Sequence, residues 1–239
     1  MKFKKLLSLF LAVALVASLA ACGVMPQENT DLTQSDKAEN TGSYNELPDI
    51  VSLDKRMANY FDISLFDEEN YSNVYLGKKF KFDITYNDKK LTVPTTLDKL
   101  AESEFVIQQG SEYDKNSYIF AKETVTLKFN DANSSFTALF YNSSNSSIRL
   151  NKCNITKIRL DNNLNTKIIV HFNVNGIDNN STVTDVITTL GTPSHFYAIT
   201  EDTYYFDYFL HKSDRRNKIR VFVDLTNDYV TAVEVSYYK

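Results

Sequence analysis

Alternation of apolar and polar residues along short segments constrains the fold of this chain most. Between residues 218 and 225, Ile219, Val221, Val223 and Leu225 alternate with more polar neighbours. A period of two residues is typical of a β-strand with one buried face. Similar segments separated by Asn, Asp and Ser clusters predict strands over 80–86, 91–93, 124–129, 136–141, 148–150, 155–160, 167–174, 203–211, 218–225 and 229–238.

Two short helices are predicted between these strands. Thr95 or Thr96 is placed to cap a helix over residues 97–102, and Thr182 to cap a second helix that Gly191 and Pro193 end. The order of strand, turn, helix and further strands recurs after about 85 residues, which indicates a duplication. We therefore predict an α+β fold made of tandem helix-plus-antiparallel-sheet units, residues 74–165 and 166–239.

The amino terminus has the features of an export signal. A basic start, Met1 to Lys5, precedes an apolar run from Leu6 to Leu19, and Ala20-Ala21-Cys22-Gly23 follows. The run is shorter than the ~20 residues that span a bilayer. The segment 19–22 resembles the bacterial lipoprotein lipobox. That resemblance implies cleavage between Ala21 and Cys22 and acyl chains on Cys22. A plain secretory signal that happens to carry a cysteine is the alternative.

Lipidation would place the mature protein on the outer face of a cell membrane. Loss of residues 1–22 removes three of the 26 basic residues and none of the 30 acidic ones, which leaves a net charge of −7. This charge argues against nucleic acid as a partner, because phosphates are bound by Lys and Arg. Residues 23–47 are polar and predict a flexible tether, and residues 48–73 a lead-in segment with one short helix.

Cys153 is the single cysteine that remains after Cys22, so no disulfide within the chain is expected. It lies between apolar strand residues and is interpreted as a structural thiol rather than a reactive one. Several Asn-x-Ser/Thr triplets are interpreted as turns, for example those that begin at Asn133, Asn142, Asn145, Asn154 and Asn180.

The segment 181–193, with its polar helix ending in Leu190-Gly191-Thr192-Pro193, resembles the SmpA/OmlA (BamE-like) and beta-lactamase-inhibitor-protein-like domains. The aromatic strand 204–209 and the strands 219–224 and 230–235 extend the resemblance over residues 168–239. The first unit fits poorly, since it lacks the Leu-Gly-x-Pro sequence. The resemblance implies two sheets side by side that form one binding surface. It does not identify a target.

The strand alternation also predicts which residues lie opposite the core. On this face we expect aromatic side chains and one arginine, the residue types that dominate protein interfaces. A structural role for the same residues stays open, because tyrosine is common in strands. The candidate partner-binding residues are Tyr205, Phe209, His211, Arg220, Phe222 and Tyr238.

No motif for nucleophilic, phosphate-binding or metal chemistry occurs, and His171, His195 and His211 lack the spacing of metal ligands. We therefore expect no enzyme activity, no cofactor and no metal. The leading hypothesis is a membrane-anchored lipoprotein that binds another envelope or extracellular protein as inhibitor, adaptor or assembly factor. The alternatives are a receptor for a small molecule or a wall peptide or glycan, and an enzyme with a dispersed site.

Overall fold

Antiparallel strand pairs build most of the described structure. A computed structural model describes residues 55–77, 82–130, 135–162 and 171–238, which belong to one compact unit, Glu46–Lys239. The strands of these ranges are β1 Ile84–Tyr86, β2 Lys89–Leu91, β3 Val106–Ile107, β4 Tyr118–Ile119, β5 Thr124–Asn130, β6 Ser135–Tyr141, β7 Ile148–Arg149, β8 Asn154–Asp161, β9 Phe172–Val174, β10 Ile177–Asp178, β11 His195–Ala198, β12 Thr203–His211, β13 Asp214–Asp224 and β14 Tyr229–Ser236.

Among the described residues the strands form three sheets. The largest has eight strands in the order β11-β12-β13-β14-β8-β6-β5-β3. A four-stranded sheet has the order β10-β9-β1-β2, and β4 pairs with β7. The large sheet is continuous across the chain because β8 pairs with β14, with Leu160 opposite Val233. The smaller sheet joins distant segments in the same way, with Ile84 opposite Val174.

The predicted alternation decides which face of the large sheet is buried. In β13, Ile219, Val221 and Val223 are fully buried, whereas the residues between them are partly exposed. Apolar residues of β12, β14, β8, β6 and β5 continue this buried layer. Burying one face while leaving the other to polar residues is what an antiparallel sheet with a single covered face requires.

The four-stranded sheet lies over the same buried layer. Tyr86 of β1 is fully buried, its ring centroid is 5.3 Å from that of Phe136 in β6, and its hydroxyl donates a 2.8 Å hydrogen bond to the Ser135 carbonyl. Leu91, Phe172 and other residues of this sheet belong to the same core. One hydrophobic core therefore serves both sheets.

Two short α-helices also contribute to the core: α1 is Leu97–Glu102 and α2 is Val183–Leu190. The predicted cap of α2 is confirmed: the Thr182 hydroxyl accepts a hydrogen bond from the Asp185 amide, and the Asp185 carboxylate accepts one from the Thr182 amide. Gly191 follows α2 at φ 81°, as expected for a residue that ends a helix. No helix in the described ranges has the length and apolar character needed to cross a bilayer.

The prediction of tandem helix-plus-sheet units is wrong. The described structure is a sheet-rich, mostly antiparallel fold, in which α1 and α2 are only six and eight residues long. The physical reason is edge pairing. β8 and β14 satisfy each other's backbone groups and would otherwise both present open edges to solvent. A hairpin, a helix and strands of the large sheet do follow one another twice along the chain, and duplication stays a prediction.

The lead-in segment also differs from the single short helix expected. Residues 55–57 are helical. A one-turn 3-10 helix, Ile63–Leu65, is capped by Asp62, whose carboxylate accepts a hydrogen bond from the Ser64 backbone amide. The segment then runs to residue 76 without further helix. The predicted signal peptide and tether, including Ala21 and Cys22, lie outside the described residues.

Candidate functional site

The candidate site is the face of the large sheet opposite the core, which we call the open face. Strand register places one row of polar residues across it: Asp207 in β12 is opposite Arg220 in β13, which is opposite Glu234 in β14, which is opposite Arg159 in β8. Directly opposed side chains on one face of an antiparallel pair are close enough to interact. Acid and base alternate along this row.

Asp207 is the first residue of the row and is only 2% exposed. Arg220 binds its carboxylate with two parallel hydrogen bonds, Nε to Oδ1 at 2.7 Å and Nη2 to Oδ2 at 2.8 Å. The Lys218 ammonium donates a third, of 3.0 Å, to Oδ2. The His195 Nδ1 atom lies 3.8 Å from the same oxygen, which is longer than a hydrogen bond. A single carboxylate thus compensates two cations.

These contacts set the protonation of the cluster. Burial alone would raise the pKa of Asp207, but the hydrogen bonds from Arg220 and the neighbouring charge of Lys218 lower this pKa well below its ordinary value, with His195 acting in the same direction. Burial lowers the pKa of Lys218, and Asp207 opposes that change. The carboxylate is therefore ionised and held by its partners. It is not a proton donor at neutral pH.

Aromatic rings lie against the arginines of the row. The Arg220 guanidinium is 3.8 Å from the centroid of the Tyr205 ring, and the Arg159 guanidinium is 4.3 Å from that of Phe222. The Tyr205 and Phe222 rings meet edge to face at 6.1 Å, and Tyr197 of β11 stacks on Tyr205 at 5.5 Å. We call Tyr197, Tyr205, Phe222, Arg159 and Arg220 the aromatic patch.

Further ion pairs fix the other charges of the face. Arg159 Nε donates to Asp161 at 2.8 Å, and the Lys157 ammonium lies 3.0 Å from the Glu234 carboxylate, which is itself nearly buried. Each arginine of the patch thus has a carboxylate in its plane and a ring against its flat side. Such packing reduces the number of rotamers that each guanidinium must lose on binding.

The structure brings three of the six predicted binding residues together and places the other three elsewhere. Tyr205, Arg220 and Phe222 lie together in the aromatic patch and are partly exposed. Phe209 is corrected: it is only 3% exposed, because Tyr71 of the lead-in segment and Lys218 pack against its ring. His211 is exposed at the end of β12. Tyr238 lies beyond β14, beside Tyr141 and Arg216.

Sequence reasoning did not place Tyr71 or His195 at this face. The Tyr71 ring stacks on His195 with centroids 4.2 Å apart, and the Ser72 amide donates to the Ser194 carbonyl at 2.9 Å. The contact joins residues more than 120 positions apart, so local pattern gives no signal for it. Asp207 did give a signal in the sequence, because it is an acidic residue between two aromatic residues, Phe206 and Tyr208, of a predicted strand.

The face is suited to binding more than to covalent chemistry. Asp207 and Glu234 are ion-paired, and Cys153 is buried in the hydrophobic core, where burial raises the pKa of its thiol. No cluster of three or more potential metal ligands occurs in the part of the chain that the structure describes. Rings and guanidinium planes recognise other molecules by area, stacking and hydrogen bonding. Comparisons of the chain with protein-family models, curated proteins and solved structures find no match.

Proposed function

We propose that this chain is an extracytoplasmic lipoprotein, anchored by acyl chains on Cys22, that binds another protein through the aromatic patch and performs no catalysis. The observation that carries the proposal is the pair of arginines fixed between carboxylates and rings, with Arg220 on Tyr205 and Arg159 on Phe222. Arginine, tyrosine and other large aromatics supply most of the binding energy at protein interfaces.

The exposure of Tyr197 supports this role. Its side chain is 53% exposed at the edge of the large sheet, although it stacks on the partly buried Tyr205. An exposed aromatic continuous with buried ones is a contact surface with a fixed base. A partner that covers it would bury apolar area while the guanidinium edges donate hydrogen bonds at the rim.

Site-specific photo-crosslinking in the full-length chain tests the proposal. A photoreactive phenylalanine analogue at position 197 or 222 should give one discrete protein adduct in cells that make the native envelope. Phe120 is a matched control, since it is an exposed aromatic (66%) outside the eight-stranded sheet. Adducts equal at 197, 222 and 120, or none at 197 and 222, would refute the proposed surface.

The anchor is tested separately by the mass of the amino-terminal peptide. We expect a peptide that begins at Cys22 and carries a diacylglyceryl group, and a Cys22→Ser chain that is released from the membrane fraction. An unmodified thiol at position 22 would refute the anchor and leave the aromatic patch unaffected.

A further inference from the structure

A second, separate cleft lies between the lead-in segment and the β12–β13 hairpin. Its volume is about 380 Å³, within the range of small-molecule sites. Leu65 and Phe66 form its apolar wall, above the buried Phe209, and Tyr71, Tyr75 and the polar residues Ser72 and Asn73 complete this part of the lining. Leu65 lines this cleft and is 47% exposed, so its side chain is accessible to a ligand.

Two cations line the same cleft. The Arg215 guanidinium stacks on the Tyr71 ring at 3.9 Å, which uses its flat side and leaves its N–H groups directed outward in the plane. Within the described ranges no carboxylate pairs with Arg215 or with Lys212. The Lys212 ammonium contacts a neutral group, the Asn73 side-chain oxygen, at 3.3 Å.

One acidic residue, Asp67, also lines the cleft. Its Oδ1 atom accepts hydrogen bonds from the backbone amides of Glu69 and Tyr71, at 3.0 and 2.9 Å. Asp67 therefore fixes the turn that carries Tyr71. Against the two cations it leaves one positive charge uncompensated, which matches a ligand with a single negative charge.

We propose that this cleft binds a small organic carboxylate with an apolar body, of which the carboxyl-terminal residue of a peptide is the simplest form. The carboxylate lies at Arg215 and Lys212, and the apolar body lies against Leu65 and Phe66. A bare inorganic anion would leave the apolar wall uncovered. The inference gives the small-molecule hypothesis a location and does not rest on the aromatic patch.

The sharpest probe is a pair of compounds that differ in charge alone, N-acetylphenylalanine and its amide. Calorimetric titration of the full chain in detergent should detect the acid, with the amide at least about tenfold weaker, because it lacks the charge-assisted hydrogen bonds. Inorganic phosphate in the same titration should bind more weakly than the acid. Equal affinity for acid and amide, or a stronger interaction with phosphate, would overturn the proposal.

Neighbouring arginines provide a matched control. Arg215→Gln should weaken the acid at least about tenfold, and Lys212→Gln should weaken it less. Arg216→Gln should change its affinity less than about twofold, because Arg216 packs against Tyr238 and Asp214 instead. Arg215→Lys, which keeps the charge, should retain more affinity than Arg215→Gln. Thermal unfolding of each variant establishes that it is folded. Equal losses in Arg215→Gln and Arg216→Gln would contradict the assignment.

Discussion

Each half of the large sheet is organised by one buried polar side chain, neutral in the first half and charged in the second. In residues 82–162, Asn142 is fully buried. Its Nδ2 donates to the carbonyls of Ile119, Phe120 and Ser146 at 2.8–2.9 Å, and its Oδ1 accepts from Ser144. In residues 171–238, Asp207 has the equivalent importance but is an ion.

The different partners of Asn142 and Asp207 indicate different roles for the two residues. Asn142 binds backbone carbonyls at the end of β4 and in the neighbouring loops, and the nearby Ser144, so its hydrogen bonds hold only local structure. Asp207 instead holds Arg220 against Tyr205 and Lys218 against Phe209, and Arg220 is part of the aromatic patch. A buried ion is a costly way to stabilise a sheet. We interpret Asp207 as the residue that positions the patch, and Asn142 as a structural residue.

Removing the charge of Asp207 should have the largest effect. In Asp207→Asn, two partly buried cations lose their carboxylate, and breaking such a pair costs about 3 kcal/mol of unfolding free energy. Asp161→Asn is the control on the same face: Asp161 also binds an arginine at 2.8 Å but is 39% exposed, so we expect a loss under about 1 kcal/mol. Urea unfolding measures both. Losses of equal size would break the distinction between the positioning ion and an ordinary surface pair.

Replacing the neutral residue should cost somewhat less. Asn142→Ala leaves three carbonyls without their donor and removes the acceptor for Ser144, a loss of about 2–3 kcal/mol. The photo-crosslinking yield at position 222 should be unchanged in the folded variant, because Asn142 does not contact the patch. A lower yield in Asn142→Ala than in Asp207→Asn would contradict the roles assigned to the two residues.

The next largest expected effect is a loss of stability at acidic pH, which depends on Asp207 and not on Asn142. The pKa of Asp207 is lowered in the folded state, so the unfolded chain, with an ordinary aspartate pKa of 3.8, binds the proton first as pH falls. The stabilisation from Asp207 is complete above about pH 5 and is lost as pH falls through 4 and below. Between pH 6 and 3, the native chain should lose about 1 kcal/mol more than Asp207→Asn.

Other aspartates with lowered pKa values, such as Asp114 and Asp185, are present in both proteins, so the comparison isolates Asp207. Asn142→Ala should follow the native pH profile, since Asn142 has no proton to gain. Chemical denaturation at a series of pH values supplies the profiles. If the unfolding free energy of the native chain and of Asp207→Asn changed in parallel with pH, Asp207 would not contribute to the acid sensitivity.

Local pattern was enough to predict the longer strands and both α-helices, but it did not predict the short strands β3, β4, β10 and β11. The expected strand 203–211 coincides with β12, and the expected helix 97–102 coincides with α1. Alternation also predicts the buried positions of β13. These features depend on neighbours within one or two turns of chain, where propensity, capping and period act.

The fold class could not be obtained in that way. Pairing of β8 with β14 and of β1 with β9 is decided by edges that meet only in the folded chain, and local sequence does not encode which edges meet. The site shows the same limit. The position of Phe209 beneath Tyr71 depends on a lead-in segment more than 130 residues earlier in the chain. Alternation within each strand was enough to place Tyr205, Arg220 and Phe222 on the face opposite the core, and the pairing of β12 with β13 brings them together there.

Helix capping gives the smallest expected difference between the halves. The Thr182 hydroxyl accepts the Asp185 amide at the start of α2, whereas Thr96 at the start of α1 makes no capping hydrogen bond through its side chain. Thr182→Ala should therefore cost about 1 kcal/mol, and Thr96→Ala only a few tenths, on the order of 0.3 kcal/mol. Thermal unfolding monitored by circular dichroism resolves this difference. Equal costs would mean that the first half relies on its cap as much as the second, and the asymmetry between the halves would then be confined to the charged row that holds the aromatic patch.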